Sequence, residues 1–154
     1  MENRTEKNTE ILNDLIEINN DRIEGYSKAI ELLDPAADID LNSLFEKYIQ
    51  QSQQFKSELT PLVFKVGENP EDGTRVTGKL FRMWMDIKNT LTGSDRTSIL
   101  ESCERGEDAF KRVYENAWTD AEGLDADVLS MIRSQAELQL AAHDELKALR
   151  DEAE

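Results

Sequence analysis

Apolar residues recur along most of the chain at steps of three and four, the period of a helix with one buried face. The first stripe is Leu12, Leu15/Ile16, Ile23, Tyr26, Ile30 and Leu33, opening at Thr9 as a candidate N-cap. Asp34-Pro35 closes it, because the residue before a proline is driven out of the helical region. A second stripe, Leu41, Leu44/Phe45, Tyr48, Phe55, Leu59, Leu62/Val63 and Val66, follows Asp38 or Asp40, either of which can cap. Pro61 lies inside this pattern and predicts a kink one turn before it, with Gly67 as the C-terminal cap. The run ENPEDGTRVTG from Glu68 to Gly78 is turn chemistry, with Asn-Pro and Asp-Gly together. Beyond it, Leu80, Met83/Trp84, Ile87 and Leu91 form a shorter amphipathic stretch that stops at Gly93.

Ser94-Asp95 then caps a helix with the stripe Ile99/Leu100, Cys103, Phe110, Val113/Tyr114 and Ala117. Asp125 caps a last one through Val128, Met131/Ile132, Leu138, Ala142, Leu146 and Leu149. No β-branched alternation occurs, so the fold class is all-α. Four long helices of similar length, each with one apolar stripe, predict a four-helix bundle. Short first and last connections and a long middle one predict that the second and third main helices run parallel. An additional helix, from about Thr74 to Leu91, sits in that crossover. Residues 1–8 are expected as a flexible N-terminus, and 9–151 as a single domain.

The stripes are broken at one level. Asn19 takes an apolar position in the first helix and Glu24 borders it; Ser52, flanked by Gln51, does the same in the second. Glu104, Gly106 and Glu107 fill the gap between Cys103 and Phe110, and Gln135 and Gln139 lie on the last stripe, one turn before His143. Each break falls near the middle of its helix, so side-by-side packing gathers them into one layer. A carboxylate buried there costs several kcal/mol unless it is paired or metal-bound. Two readings of the layer stay open. One is a hydrogen-bonded network that fixes helix register, in which Glu107→Gln is nearly neutral or stabilising. The other is a single Zn²⁺, Mn²⁺ or Fe²⁺ on Glu24, Glu104, Glu107 and His143, with Gln139 or Gln51 behind them. Gly25 and Gly106, each inside a helix beside one of these glutamates, imply close backbone packing or a local bulge.

Charge and composition narrow the function. Lys and Arg number 18 against 33 Asp and Glu, a net charge of −15, which disfavours phosphate backbones and anionic lipid surfaces as partners. One cysteine, Cys103, and one histidine, His143, exclude an internal disulfide, a Cys-rich zinc site and a multi-His centre. GENPEDG lacks the Lys-Ser/Thr of a phosphate loop, and neither Ser52 nor Ser134 has the surroundings of a nucleophile, so no catalytic residue is assigned. The opening MENRTEKNTE holds no apolar leader core, and no run approaches a membrane span, so a cytoplasmic location is expected. Apolar residues outside the stripes, Ile18, Ile49, Phe64, Phe81, Met85 and Trp118, offer a second contact surface for a homodimer.

The segments NDLIEINNDRIEGYSKAIE, QSQQFKSEL, GKLFRMWMDIK, SILESCERGEDAFKRVYENA and QLAAHDELKALRD resemble an uncharacterised bacterial four-helix-bundle family, a domain of unknown function in the ferritin-like superfamily. The resemblance runs from about Ile11 to Arg150 and implies a ferritin-like bundle with one crossover, but no activity. The superfamily's metal pattern places a Glu on the first and third helices and Glu-x-x-His on the other two. Glu24 matches the first Glu, and Glu104 or Glu107 the third. Gln51-Ser52-Gln53-Gln54 carries neither ligand, and Leu140-Ala141-Ala142-His143 keeps only the histidine. A di-iron oxidase or ferroxidase is therefore not expected. The reading adopted is a non-catalytic binding or interaction module with no obligatory cofactor; the alternative is a protein that binds one divalent transition metal.

Overall fold

The computed structural model describes residues 2–65, 95–119 and 124–153. Among them are four helices and no strand: α1 (Glu2–Leu32), α2 (Ile39–Lys65), α3 (Arg96–Thr119) and α4 (Ala126–Ala153). The predicted crossover helix lies outside the described residues. α1 begins seven residues ahead of Thr9, because Glu, Arg and Lys propagate a helix well and nothing in ENRTEKN breaks it. α2 continues through Pro61 to Lys65.

Three local signals set the other ends. Between α1 and α2, the Asp34 carboxylate accepts from the amides of Ala36 and Ala37 at 2.8 and 2.9 Å, while the Asp34 amide donates to Asp38 at 3.0 Å. That closed turn reverses the chain in six residues. Asp95 caps α3, its Oδ1 accepting from the Ser98 amide at 2.9 Å. At the start of α4 the Leu129 amide bonds the Asp125 carbonyl at 3.0 Å, which makes Asp125 the half-in first residue.

Side-chain contacts give the helix directions. Asn19 meets Tyr114 and Arg22 meets Glu107, so α1 and α3 are antiparallel. Arg96 bonds Asp40 near the start of α2, and Phe55 packs on Phe110 midway, so α2 and α3 are parallel. Gln135 meets Tyr114 and Arg150 meets Glu104, which sets α4 against α3. The order of the four helices is therefore up, down, down, up. At one end of the bundle, Arg96 holds Asp38 at 3.1 Å and Asp40 at 2.6 Å, pinning the α1–α2 turn to the start of α3.

The core follows the stripes, with Leu12, Leu15, Tyr26, Phe45, Tyr48, Phe55, Leu59, Phe110, Tyr114, Ile132 and Leu146 all buried. Two expectations are corrected. Ile18 is fully buried, because α1 is enclosed on more than one side and its apolar face is wider than one stripe. Leu138 is 52% exposed, since the inward positions of α4 are Ile132, Gln135, Gln139, Ala142 and Leu146, and 138 falls a quarter-turn off that line. Ile49 and Trp118 are half-buried.

The Arg96 clasp gives an acid-side prediction. Its hydrogen bond holds the Asp40 carboxyl below the usual carboxylate range. A depressed pKa contributes stability above the unfolded value, near 4, and loses it as pH falls through the native value. An exposed pair of this kind is worth about 0.2–1 kcal/mol. In urea titrations Asp40→Asn should be less stable than the parent at pH 6, and the gap should narrow as the pH falls below the unfolded carboxylate value of about 4. A gap independent of pH would remove the clasp from the stability of the fold.

Candidate functional site: a saturated charge pair at the bundle centre

Asn19, Arg22 and Tyr26 step by three and four along α1 and project into the middle of the bundle, where all three are buried. Arg22 and Glu107 are fully buried and form a two-pronged pair, Nε to Oε2 at 2.8 Å and Nη2 to Oε1 at 3.0 Å. Nη1 of Arg22 donates to Gln51 at 2.9 Å and to Ser52 at 3.1 Å on α2. The rings of Tyr26, Tyr48 and Phe110 surround the guanidinium, their centroids 5.7, 5.4 and 5.0 Å from its carbon. This is cation–π distance on three sides. Burial alone pulls the Arg22 pKa down, but the Glu107 carboxylate and its hydrogen bond raise it above the ordinary arginine value, so the group stays charged.

Glu107 is equally occupied. Besides Arg22, Oε2 accepts the Tyr26 hydroxyl at 2.6 Å and Oε1 accepts Gln139 Nε2 at 3.0 Å. Two oxygens thus accept four hydrogen bonds, the full capacity of a carboxylate. Gln139 Nε2 also lies 2.9 Å from the Glu107 carbonyl, which fixes α4 on α3 at this level. Every helix contributes to the cluster: Arg22 and Tyr26 from α1, Gln51 and Ser52 from α2, Glu107 from α3, Gln139 from α4.

A second tier lies one turn away. Asn19 Nδ2 donates to Tyr114 Oη at 2.9 Å and to the Leu15 carbonyl at 2.8 Å. The Tyr114 hydroxyl donates to Gln135 Oε1 at 2.6 Å, and Gln135 Nε2 donates to Glu58 at 2.8 Å and the Phe55 carbonyl at 3.3 Å. On the other side, Tyr48 donates to Glu145 at 2.6 Å. Burial, followed by neighbouring carboxylates, raises the phenol pKa of Tyr26 and Tyr48; burial chiefly does the same for Tyr114. Each remains a hydroxyl donor. Cys103 is buried, and desolvation with the Glu107 charge pushes its thiol pKa up, which makes it inert.

The structure does not bring the four candidate metal ligands together. Glu24 is exposed on α1. Glu104 bonds Arg150 at 2.6 Å, and Glu107 is taken by Arg22. His143 leans outward, its Nε2 2.7 Å from Asp108 and its Nδ1 3.3 Å from Asp144. Among the described residues, no group of three or more His, Cys, Asp and Glu is arranged to hold a metal ion. By contrast, Asn19, Ser52, Gln135 and Gln139 are all buried in the polar network, with Gln51 at its edge. The sequence reading left out Arg22 and Glu58, and placed Tyr26 and Tyr114 in the apolar stripes without their hydroxyls' part in the network. Arg22 could have been found: it is three residues after Asn19 and four before Tyr26, on the same face, and a buried Glu107 demands a cation.

A family model described as "Domain of unknown function (DUF2383)" matches residues 7–120. The chain belongs to that family. The DUF2383 match spans α1 to α3 and so takes in Arg22, Ser52, Glu107 and Tyr114, while α4, with Gln135 and Gln139, follows it. No curated protein matches the chain.

Arg22 argues against the expectation that Glu107→Gln is nearly neutral or stabilising. Removing the charge strands a buried guanidinium, so Glu107→Gln and Arg22→Met should each destabilise by about 3–5 kcal/mol in urea unfolding. The double variant Arg22→Met/Glu107→Leu should be more stable than either single one, because no charge is left uncompensated. Additive losses would show that the two side chains do not act as a pair.

Proposed function

We propose that the protein is a non-catalytic binding or interaction module whose polar centre is a brace and whose outer helix faces do the work. The observation that carries this is the saturation of Glu107 by four hydrogen bonds from the chain's own side chains. Ferritin-like bundles collect carboxylates and histidines in this layer around metal. Here the guanidinium of Arg22 supplies the positive charge, tethered and permanent. With no unoccupied acceptor, Glu107 has neither a lone pair to offer a metal nor a base to offer a substrate. The single-metal alternative would need Glu24, Glu104, Glu107 and His143 to leave their present positions and converge.

Charge and thiol chemistry supply the setting. At −15 the surface suits partners other than nucleic acid or an anionic membrane. Among the described residues no helix is long and apolar enough to cross a membrane. The sole cysteine is buried as a thiol, which accords with a reducing, cytoplasmic location.

Thermal melts with and without added Zn²⁺, Mn²⁺ and Fe²⁺ test the reading. A bound metal stabilises the fold by about 2.7 kcal/mol at a hundredfold excess over Kd, which moves the midpoint by several degrees. The module reading predicts an unmoved midpoint with each metal. A rise that His143→Ala abolishes would restore the metal site.

A further inference from the structure

Between α3 and α4, on the side away from the polar centre, lies a groove of about 350 Å³. Its floor is Trp118, Ala136 and Leu140, and its walls carry Lys111 and Arg133 against Glu115 and Glu137. Two features set it apart. Leu140 is 39% exposed, one of three large apolar side chains so placed among the described residues. The walls also bear two positive and two negative charges, in a chain where acids outnumber bases 33 to 18. Across most of this surface a second copy would meet like charge; here it would not.

The α4 side of the groove is a seam. Ala126, Leu129, Arg133, Ala136 and Leu140 follow one another at steps of three, four, three and four, the heptad spacing by which one helix packs along another. Ala126, Leu129 and Arg133 line an adjoining hollow on the same face, so the seam is continuous along four turns of α4. We propose that this face binds a second copy of the chain, α4 against α4, antiparallel about a two-fold axis. The sequence is self-complementary in that arrangement. With Arg133 opposite the partner's Ala136, Leu129 falls opposite the partner's Leu140, and each pairing occurs twice by symmetry. Arg133 then lies beside the partner's Glu137, one position on from Ala136, and the reciprocal pair forms across the axis. A single polar position among apolar ones in such a seam fixes the register. Trp118 of α3 borders the seam, a half-buried aromatic of the kind that anchors interfaces.

This inference rests on the interaction-module reading and names its partner. Sedimentation and light scattering over a concentration series test it. The parent should approach twice the 17.6 kDa chain mass at high micromolar concentration. Arg133→Glu and Glu137→Arg, each at an exposed position, should both remain at the single-chain mass with unchanged melting midpoints. An equimolar mixture of the two variants should regain the double mass, because each supplies the charge that the other now needs, whereas neither does so alone. A parent that stays monomeric, single variants that dimerise like the parent, or a mixture that fails to associate would each overturn the proposal. Failure here with metal-insensitive melts leaves an interaction module that does not self-associate; metal-sensitive melts overturn the module reading itself.

Discussion

One buried charge constrains this bundle more than any apolar contact. A guanidinium at the centre of a helical core is tolerable only when its donors are met by acceptors of fixed position. Arg22 meets Glu107 on α3, and Gln51 and Ser52 on α2. Glu107 in turn requires Tyr26 from α1 and Gln139 from α4. A slide of any helix by one turn would break at least one of these bonds while leaving leucines to face leucines. Hydrophobic stripes can pack in several registers at similar cost; a planar fork on a planar carboxylate, ringed by three aromatic faces, has one.

The tiers on either side follow from this centre. Each pairs an aromatic hydroxyl with an amide or carboxylate from another helix: Tyr114 with Asn19 and Gln135, Tyr48 with Glu145. The phenols contribute apolar area to the core and a donor at its edge, so polar positions are buried without leaving a hole. At the top of the bundle the Arg96 clasp does related work in solvent, tying the first turn to the start of α3. Weak as it is, it joins ends that no short loop connects.

Much of the architecture was legible in the sequence, for reasons tied to particular residues. Asp34-Pro35, Asp95 and Asp125 mark ends because proline forbids one conformation and aspartate satisfies free amides. The apolar steps on α2 and α3 fall on the buried faces with few exceptions. Breaks at Asn19, Ser52, Gln135 and Gln139 pointed to a shared polar layer, because equal helices align their midpoints. What failed was the sign of the charge. Arg22 stands beside Ile23, and a stripe drawn through Ile23 leaves the arginine to solvent; a stripe drawn through Asn19 and Tyr26 turns it inward, toward a partner 85 residues away. Leu138 was misplaced for a related reason, since Gln139 holds the inward position that an apolar stripe assigns to leucine.

The central claim is that Arg22 is locked, charged and dry, and its own Nε–H reports on that directly. Exchange of arginine side-chain protons with solvent is fast unless the group is buried and hydrogen-bonded. In ¹⁵N-labelled protein at neutral pH, the Arg22 Nε–H resonance, assigned by comparison with Arg22→Met, should persist in deuterated water. It should decay at the slow rate of the core amides, opening only when the bundle unfolds. Exchange as rapid as that of a surface arginine such as Arg133 would mean that the pair opens locally, and the bundle would then have to be held in register by its apolar packing alone.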